Sequence, residues 1–170
     1  AGSASAQTYN LVADEFTWNG VTMWGFATDG AQPCGAGGPW ALGPMLVVDA
    51  ATTTGLTVNL RNCLAEPVSI VIPGQPATLA PVRGGDGRAT SLTAVAAATG
   101  GTAIYTWTSL KPGTFLYHSG SNLAKQVQMG LYGALIVDYN AATGEAYPGI
   151  VYDTDVVLVA SEIDPAVHAI

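Results

Sequence analysis

Lys111-Pro-Gly-Thr-Phe-Leu-Tyr-His-Ser-Gly120 and, a few residues on, Met129-Gly-Leu-Tyr-Gly-Ala-Leu-Ile-Val137 hold the densest structural signal in the chain. Pro112-Gly113 reads as a turn, since proline presets one turn dihedral and glycine tolerates the other. Phe115-Leu-Tyr117 then reads as an aromatic strand that His118 closes, directly before the small residues Ser119-Gly-Ser121. Gly133-Ala-Leu-Ile-Val137 is a short apolar run, the pattern of a strand covered on both faces. Working outward, Asp155-Val-Val-Leu-Val159 repeats that pattern. Leu56, Val58 and Leu60 alternate with Thr57, Asn59 and Arg61, which predicts a strand with one buried face. Thr102 to Thr108 alternates in the same way, with Ala103, Tyr105 and Trp107 on one side. Val68-Ser-Ile-Val-Ile72 lies between Pro67 and the Pro73-Gly74 turn. Tyr9 to Phe16, Thr22 to Thr28 and Met45 to Asp49 are the remaining strand candidates. Nothing sustains a helical period, and one or two helical turns are expected only around Asn122 to Gln128. About nine short strands punctuated by Gly and Pro predict an all-β, antiparallel sandwich. Two Gly-rich loops, Gly30 to Gly43 and Arg83 to Thr90, interrupt it.

Composition narrows the function classes. The 170 residues are 49% hydrophobic and 10% charged, with a net charge of −7. Disorder is excluded, because apolar content is high and charge is scarce. Five Lys and Arg cannot neutralise a row of phosphates, so a nucleic-acid partner and an anionic membrane surface are both disfavoured. No apolar run reaches the roughly 18 residues that membrane insertion as a helix requires. Charge far below the roughly 25% usual for globular proteins, together with a small polar start at Ala1 to Gln7, suggests an exported chain. The expected location is periplasmic or extracellular.

Few residues carry chemistry. Cys34 and Cys63 lie in no metal-binding spacing, and a zinc site needs four close ligands. A disulfide, two buried thiols and a metal thiolate stay open, with the disulfide preferred. On the chain-entropy view that bridge stabilises the fold by roughly 3–4 kcal/mol. The two histidines are His118 and His168, and the second is expected to be solvated. No Gly-x-Ser-x-Gly elbow is present, and His118 and Ser119 point to opposite strand faces, so a serine triad is not expected. Gly84-Gly-Asp-Gly87 lacks the Lys-Ser/Thr of a phosphate loop and reads as a surface loop. Asp153, Asp155, Glu162 and Asp164 lack the spacing of a calcium loop and read as strand-end solvation. No catalytic residue is expected, and His118 is the one candidate metal ligand. A single imidazole cannot hold copper without partners.

The two opening stretches resemble the first cupredoxin domain of multicopper oxidases. That family carries a Pro-Gly-Thr-aromatic-x-Tyr-His-Ser-His strand, a short Gln-containing helix and a Gly-Leu-Tyr-Gly-x-Leu-Ile-Val strand. Gly43-Pro-Met-Leu-Val47, Leu56 to Leu60 and Glu66 to Ile70 are similar to further segments of that domain in the same order, and Ser161-Glu-Ile-Asp-Pro165 to its end. Ser69 to Gln75 and Gln126 to Gly133 resemble a subgroup of large secreted multicopper-oxidase-like proteins. The resemblance implies a cupredoxin-like Greek-key β-sandwich over residues 9–164, after a flexible segment 1–8 and before the start of an interdomain linker at 165–170.

The departures bear on function. In active members two His-x-His pairs of this domain serve a trinuclear copper cluster shared with another domain. The first pair corresponds here to Val71-Ile-Pro73 and the second to His118-Ser-Gly120, so one imidazole of four remains. A type 1 copper site is also not expected, since both cysteines come too early. The resemblance therefore implies an N-terminal plastocyanin-like domain with a structural, interdomain role in an exported multicopper oxidase-like protein. The resemblance leaves copper open for that parent, and none is firmly expected in this domain. Two alternatives stand beside it: part of a copper-dependent oxidoreductase whose other domains or second chain carry the copper, and a mononuclear copper module using His118 with Met129 or a residue of a second chain. Expected partners are further cupredoxin domains or a second chain, with homo-oligomerisation open.

Overall fold

The computed structural model describes residues 5–77 and 80–168. Its larger strands are β1 (Gln7–Trp18), β2 (Val21–Thr28), β3 (Gly43–Asp49) and β4 (Leu56–Asn62). Two short strands follow, β5 (Val82–Arg83) and β6 (Ala89–Ser91), then β7 (Gly101–Trp107), β8 (Gly113–His118) and β9 (Tyr132–Asp138). A small hairpin of β10 (Glu145–Tyr147) and β11 (Ile150–Val151) comes after β9. The helical turns are α1 (Leu123–Gln126), a 3-10 turn at Ala141–Thr143 and α2 (Pro165–His168).

Two sheets face each other. One has the order β2-β1-β4-β7 and the other β3-β9-β8. The β1–β4 and β3–β9 pairs are parallel, and the other neighbours in both sheets are antiparallel. The β1–β2 hairpin closes on Asn19-Gly20, both at positive φ (47° and 81°), which a two-residue hairpin turn of matching twist demands. In β4 the predicted alternation holds: Leu56, Val58 and Leu60 are buried between the sheets. They meet Leu11, Phe26, Leu46, Trp107, Tyr117 and Leu135 in one core. Buried Asn62 ends β4 and secures the next loop, donating from Nδ2 to the Glu66 carbonyl (2.7 Å) and accepting the Leu64 N–H (3.0 Å).

Several expectations are corrected. Val68–Ile72 is held by isolated bridges and not as a regular strand: Val68 pairs with Ala96, and Val71 exchanges both backbone hydrogen bonds with His118 of β8 (2.9 and 3.0 Å). Pro67 and Pro73 bracket it and supply no N–H to extend a ladder. Asp155–Val159 forms no strand of this sandwich, and Val156 (77%) and Leu158 (89%) stand in solvent. A continuous apolar run favours a covered strand and does not supply the sheet that would cover it. Arg83 to Thr90 is the tip and arms of the β5–β6 hairpin, not a free loop. Within 1–8, expected to be flexible, β1 already begins at Gln7, whose N–H reaches the Gly55 carbonyl (2.8 Å); residues 1–4 lie outside the described residues. In the expected linker 165–170, α2 packs on β2, and residues 169–170 lie outside the described residues.

Candidate functional site

His118 is the last residue of β8. It pairs with Tyr132 of β9 on one side and Val71 on the other. Its Nδ1 lies 2.8 Å from the Ser119 carbonyl. A carbonyl only accepts, so in the neutral ring Nδ1 carries the proton and Nε2 keeps its lone pair. The half-buried ring borders a hollow of about 240 Å³ with Leu116, Val127, Tyr132, Val159 and Glu162. Beneath His118, the Tyr117 hydroxyl donates to the Pro44 carbonyl (2.8 Å), and burial pushes its phenol pKa up.

Directly after His118 the chain enters a buried polar knot. Ser69, Ser91 and Ser121 bring their hydroxyls together in a triangle with edges of 2.9, 3.0 and 2.9 Å. All three are buried, so each hydroxyl finds in the others the partners that water would otherwise supply. Ser119 donates to the Gln126 side-chain carbonyl (2.6 Å), and Gln126 Nε2 donates to the Pro67 carbonyl (3.0 Å). Lys125 pairs with Glu66 on the outside of this knot, and that hydrogen bond holds the Glu66 carboxyl below its ordinary pKa.

This knot occupies the ground beside the positions that correspond to copper ligands. A Cβ on Gly120 would lie 2.8 Å from Val71 Cγ1 and 2.9 Å from Ser69 Oγ. Val71 itself is 3% exposed and belongs to the packing. Val71, Pro73 and Gly120 offer no side-chain donor, and even a Cβ at Gly120 would have to displace Val71 or Ser69. The residues present do not fit a copper cluster, because one imidazole remains and the corresponding positions Val71, Pro73 and Gly120 carry no metal-binding side chain. Among the described residues, no three His, Cys, Asp or Glu come together so as to hold a metal. Met129, a second candidate copper ligand, is buried in the hydrophobic core.

A second constellation lies on the other sheet. Cys34 and Cys63 are joined as a disulfide with Cα atoms 5.2 Å apart. Arg61 covers it, with Nη1 3.4 and 3.1 Å from the two sulfurs. Its other guanidinium nitrogens grip Asp29 at 2.8 and 2.7 Å. The hydrogen bond to Arg61 holds the Asp29 carboxyl below the ordinary carboxylate range. Asp14 accepts the Gly35 N–H (2.9 Å), and Trp40 Nε1 donates to the Trp24 carbonyl (2.9 Å), so the Gly-rich loop is fastened along its length. Sequence reading missed Arg61 and Asp29; the available signal was a cation two residues before a cysteine. It also took His168 as solvated, whereas the ring is buried with Nδ1 3.1 Å from the Thr22 carbonyl. Asp153, Asp155, Glu162 and Asp164 form no cluster, and Asp164 caps α2 through the Ala166 N–H (2.9 Å).

The family model described as multicopper oxidase matches residues 40–142, more than half of the chain. The chain belongs to the multicopper oxidase family. A multicopper oxidase from Pseudomonas thermotolerans superposes with a TM-score of 0.59 at 26% identity, over 79% of this chain and 30% of that one. Another multicopper oxidase structure gives 0.54 at 25% identity, over 78% of this chain and 42% of that one. A laccase from Botrytis aclada gives 0.56 at 23% identity, covering 82% of this chain and 23% of that one, and speaks for the fold alone. No curated protein matches the chain. The sandwich is thus a cupredoxin-like domain of multicopper oxidase type, and it spans less than half the length of these neighbours.

Proposed function

We propose that this multicopper oxidase-type domain is a structural module, the N-terminal plastocyanin-like domain of an exported multicopper oxidase-like protein. In that parent it packs against further cupredoxin domains and leaves copper chemistry to them. The observation that carries the reading is the filled space at Gly120, where Val71 and Ser69 stand within 3 Å of any added Cβ. The direction in which a side chain would leave Gly120 is packed, and the hydroxyls there are paired with each other. Export is supported by the scarcity of charge and by the joined cysteines, since disulfides persist in oxidising compartments. Among the described residues no helix is long and apolar enough to cross a membrane.

The test is metal content by mass spectrometry after copper loading and desalting, with intact mass measured on the same sample. The expected result is copper far below one per chain, at a mass near 17.3 kDa lowered by two hydrogens for the bridge. One copper per chain, lost on His118→Ala, would overturn the reading in favour of a mononuclear copper module.

A further inference from the structure

The five N–H groups of the Arg61 guanidinium are all directed at the ground around the Cys34–Cys63 bridge. Nε and Nη2 hold the Asp29 carboxylate, and Nη2 also donates to the Gln32 carbonyl (2.9 Å). That leaves Nη1, which lies against the two sulfurs, closer to Cys63 (3.1 Å) than to Cys34 (3.4 Å). A bridge that only shortens the unfolded chain gains little from a cation at its sulfurs. A thiolate gains much more, because N–H donation and positive charge both stabilise the anion. The two ends of the bridge also differ. Cys34 is exposed and Cys63 is half-buried. The charged groups around them are Arg61, Asp29 and Asp14. Asp29 is taken up by the guanidinium edge away from the sulfurs, whereas Asp14 accepts the N–H of Gly35, the residue next to Cys34 (2.9 Å). Negative charge is therefore stabilised at Cys63 and opposed at Cys34.

We propose that this bridge is a thiol–disulfide exchange site whose substrate class is a dithiol. An incoming thiolate attacks the exposed Cys34 sulfur and forms a mixed disulfide with it. The Cys34–Cys63 bond breaks, and its electron pair leaves on Cys63 as a thiolate against Arg61 Nη1. The second thiol of the substrate, on losing its proton, then displaces Cys34. The dithiol ends as a disulfide, and its two electrons and two protons end on Cys34 and Cys63. Exchange is faster the more acidic the departing thiol, so Arg61 and the exposure of Cys34 select the same direction of attack. The reduced pair stays assembled. Arg61 holds Gln32, Asp14 holds Gly35, and Trp40 Nε1 holds the Trp24 carbonyl, all without the bridge. Those bonds keep the Cys34 loop on the sandwich, ready for an oxidant to close the bridge again. The site depends neither on copper nor on further domains.

The first experiment exposes the wild-type chain briefly to excess reduced glutathione in native buffer, quenches with an alkylating agent and maps the peptides by mass spectrometry. The expected product carries glutathione on Cys34 and the alkyl group on Cys63. Glutathione on Cys63, or no adduct, overturns the proposal. The second experiment follows reduction by dithiothreitol, read as released thiol, in wild type and Arg61→Leu. The variant is expected to be reduced about 10-fold more slowly, since the departing thiolate loses its donor. If Arg61 is only a clasp on the loop, its removal frees the bridge; an unchanged or faster rate therefore overturns the proposal. Arg61→Lys restores the charge without the fork and is expected to recover part of the rate. Wild-type reduction that proceeds only as fast as global unfolding overturns the proposal even where Arg61→Leu does not fold.

Discussion

Restoring one histidine at Gly120 is the sharpest probe of the filled site. The added Cβ meets Val71 Cγ1 at 2.8 Å and Ser69 Oγ at 2.9 Å, both too close for carbon contact. Neither neighbour can retreat easily. Val71 is β-branched, with a stiff χ1, and its backbone is doubly bonded to His118. The Gly120 carbonyl is itself held by the Leu92 N–H (2.9 Å). Overpacking of this kind costs about 1–3 kcal/mol. Displacing Ser69 from the hydroxyl triangle costs about 1–2 kcal/mol more, because a buried hydroxyl loses its partners. Gly120→His is therefore expected to lose about 2–5 kcal/mol, and at about 2–4 °C per kcal/mol for a chain of this size Tm falls by about 4–20 °C. Calorimetry reads the loss, and copper titration followed by desalting reads the second expectation, that no copper is retained. Val71→Ala combined with Gly120→His removes the methyl in the way, so the double variant is expected to lose less than the sum of the singles. A Gly120→His protein that melts unchanged and retains one copper would refute the reasoning at its root.

Three further outcomes follow from the geometry. Reducing the Cys34–Cys63 bridge, or replacing both residues by Ser, is expected to cost about 3–4 kcal/mol for a loop of this length, read as a drop of about 6–16 °C in Tm. Asp29 and Glu66 are held below their ordinary pKa by Arg61 and Lys125 respectively, so each stabilises the fold while ionised. That stability is fully present above the unfolded carboxylate pKa of about 4 and is lost as pH falls through the lower folded values, so urea midpoints from pH 7 to pH 2 are expected to fall less steeply in Arg61→Gln. Tyr117→Phe removes the 2.8 Å bond to the Pro44 carbonyl and is expected to cost about 1 kcal/mol in urea unfolding, with copper content unchanged.

The parts of this protein legible in its sequence are those where one strand decides its own fate. Leu56, Val58 and Leu60 bury themselves by alternation, and Pro112-Gly113 and Gly133–Val137 state a turn and a covered strand. The short helix appears where Asn122 to Gln128 suggested it, at Leu123–Gln126. What stayed hidden depends on meetings across the chain. Ser69, Ser91 and Ser121 lie on three separate segments, and nothing local marks them as a triangle until β8 and its bridges bring them together. Arg61 occupies the outward face of β4, where a cation reads as solvent-facing, yet it finds Asp29 at the end of β2 and the sulfurs between them. Asp155–Val159 shows the converse failure, in which the local pattern is that of a strand and no strand forms there.

The same distinction bears on what this domain does. Pairing in β8 and β9 fixes His118 next to Tyr132 and Val71 whatever the loop beyond it contains, so the frame survives without ligands. The segments that offer no ligand, Val71 to Pro73 and Ser119 to Ser121, are held instead by Val71 packing, the hydroxyl triangle and Gln126. The Val71 packing and the hydroxyl triangle both stand in the way of a side chain placed at Gly120. Stability and metal binding are therefore opposed at this end of the sandwich. On the proposed reading such a domain contributes surface and rigidity to an assembly, and among the described residues no His, Cys, Asp or Glu joins His118 in a group that could hold a metal.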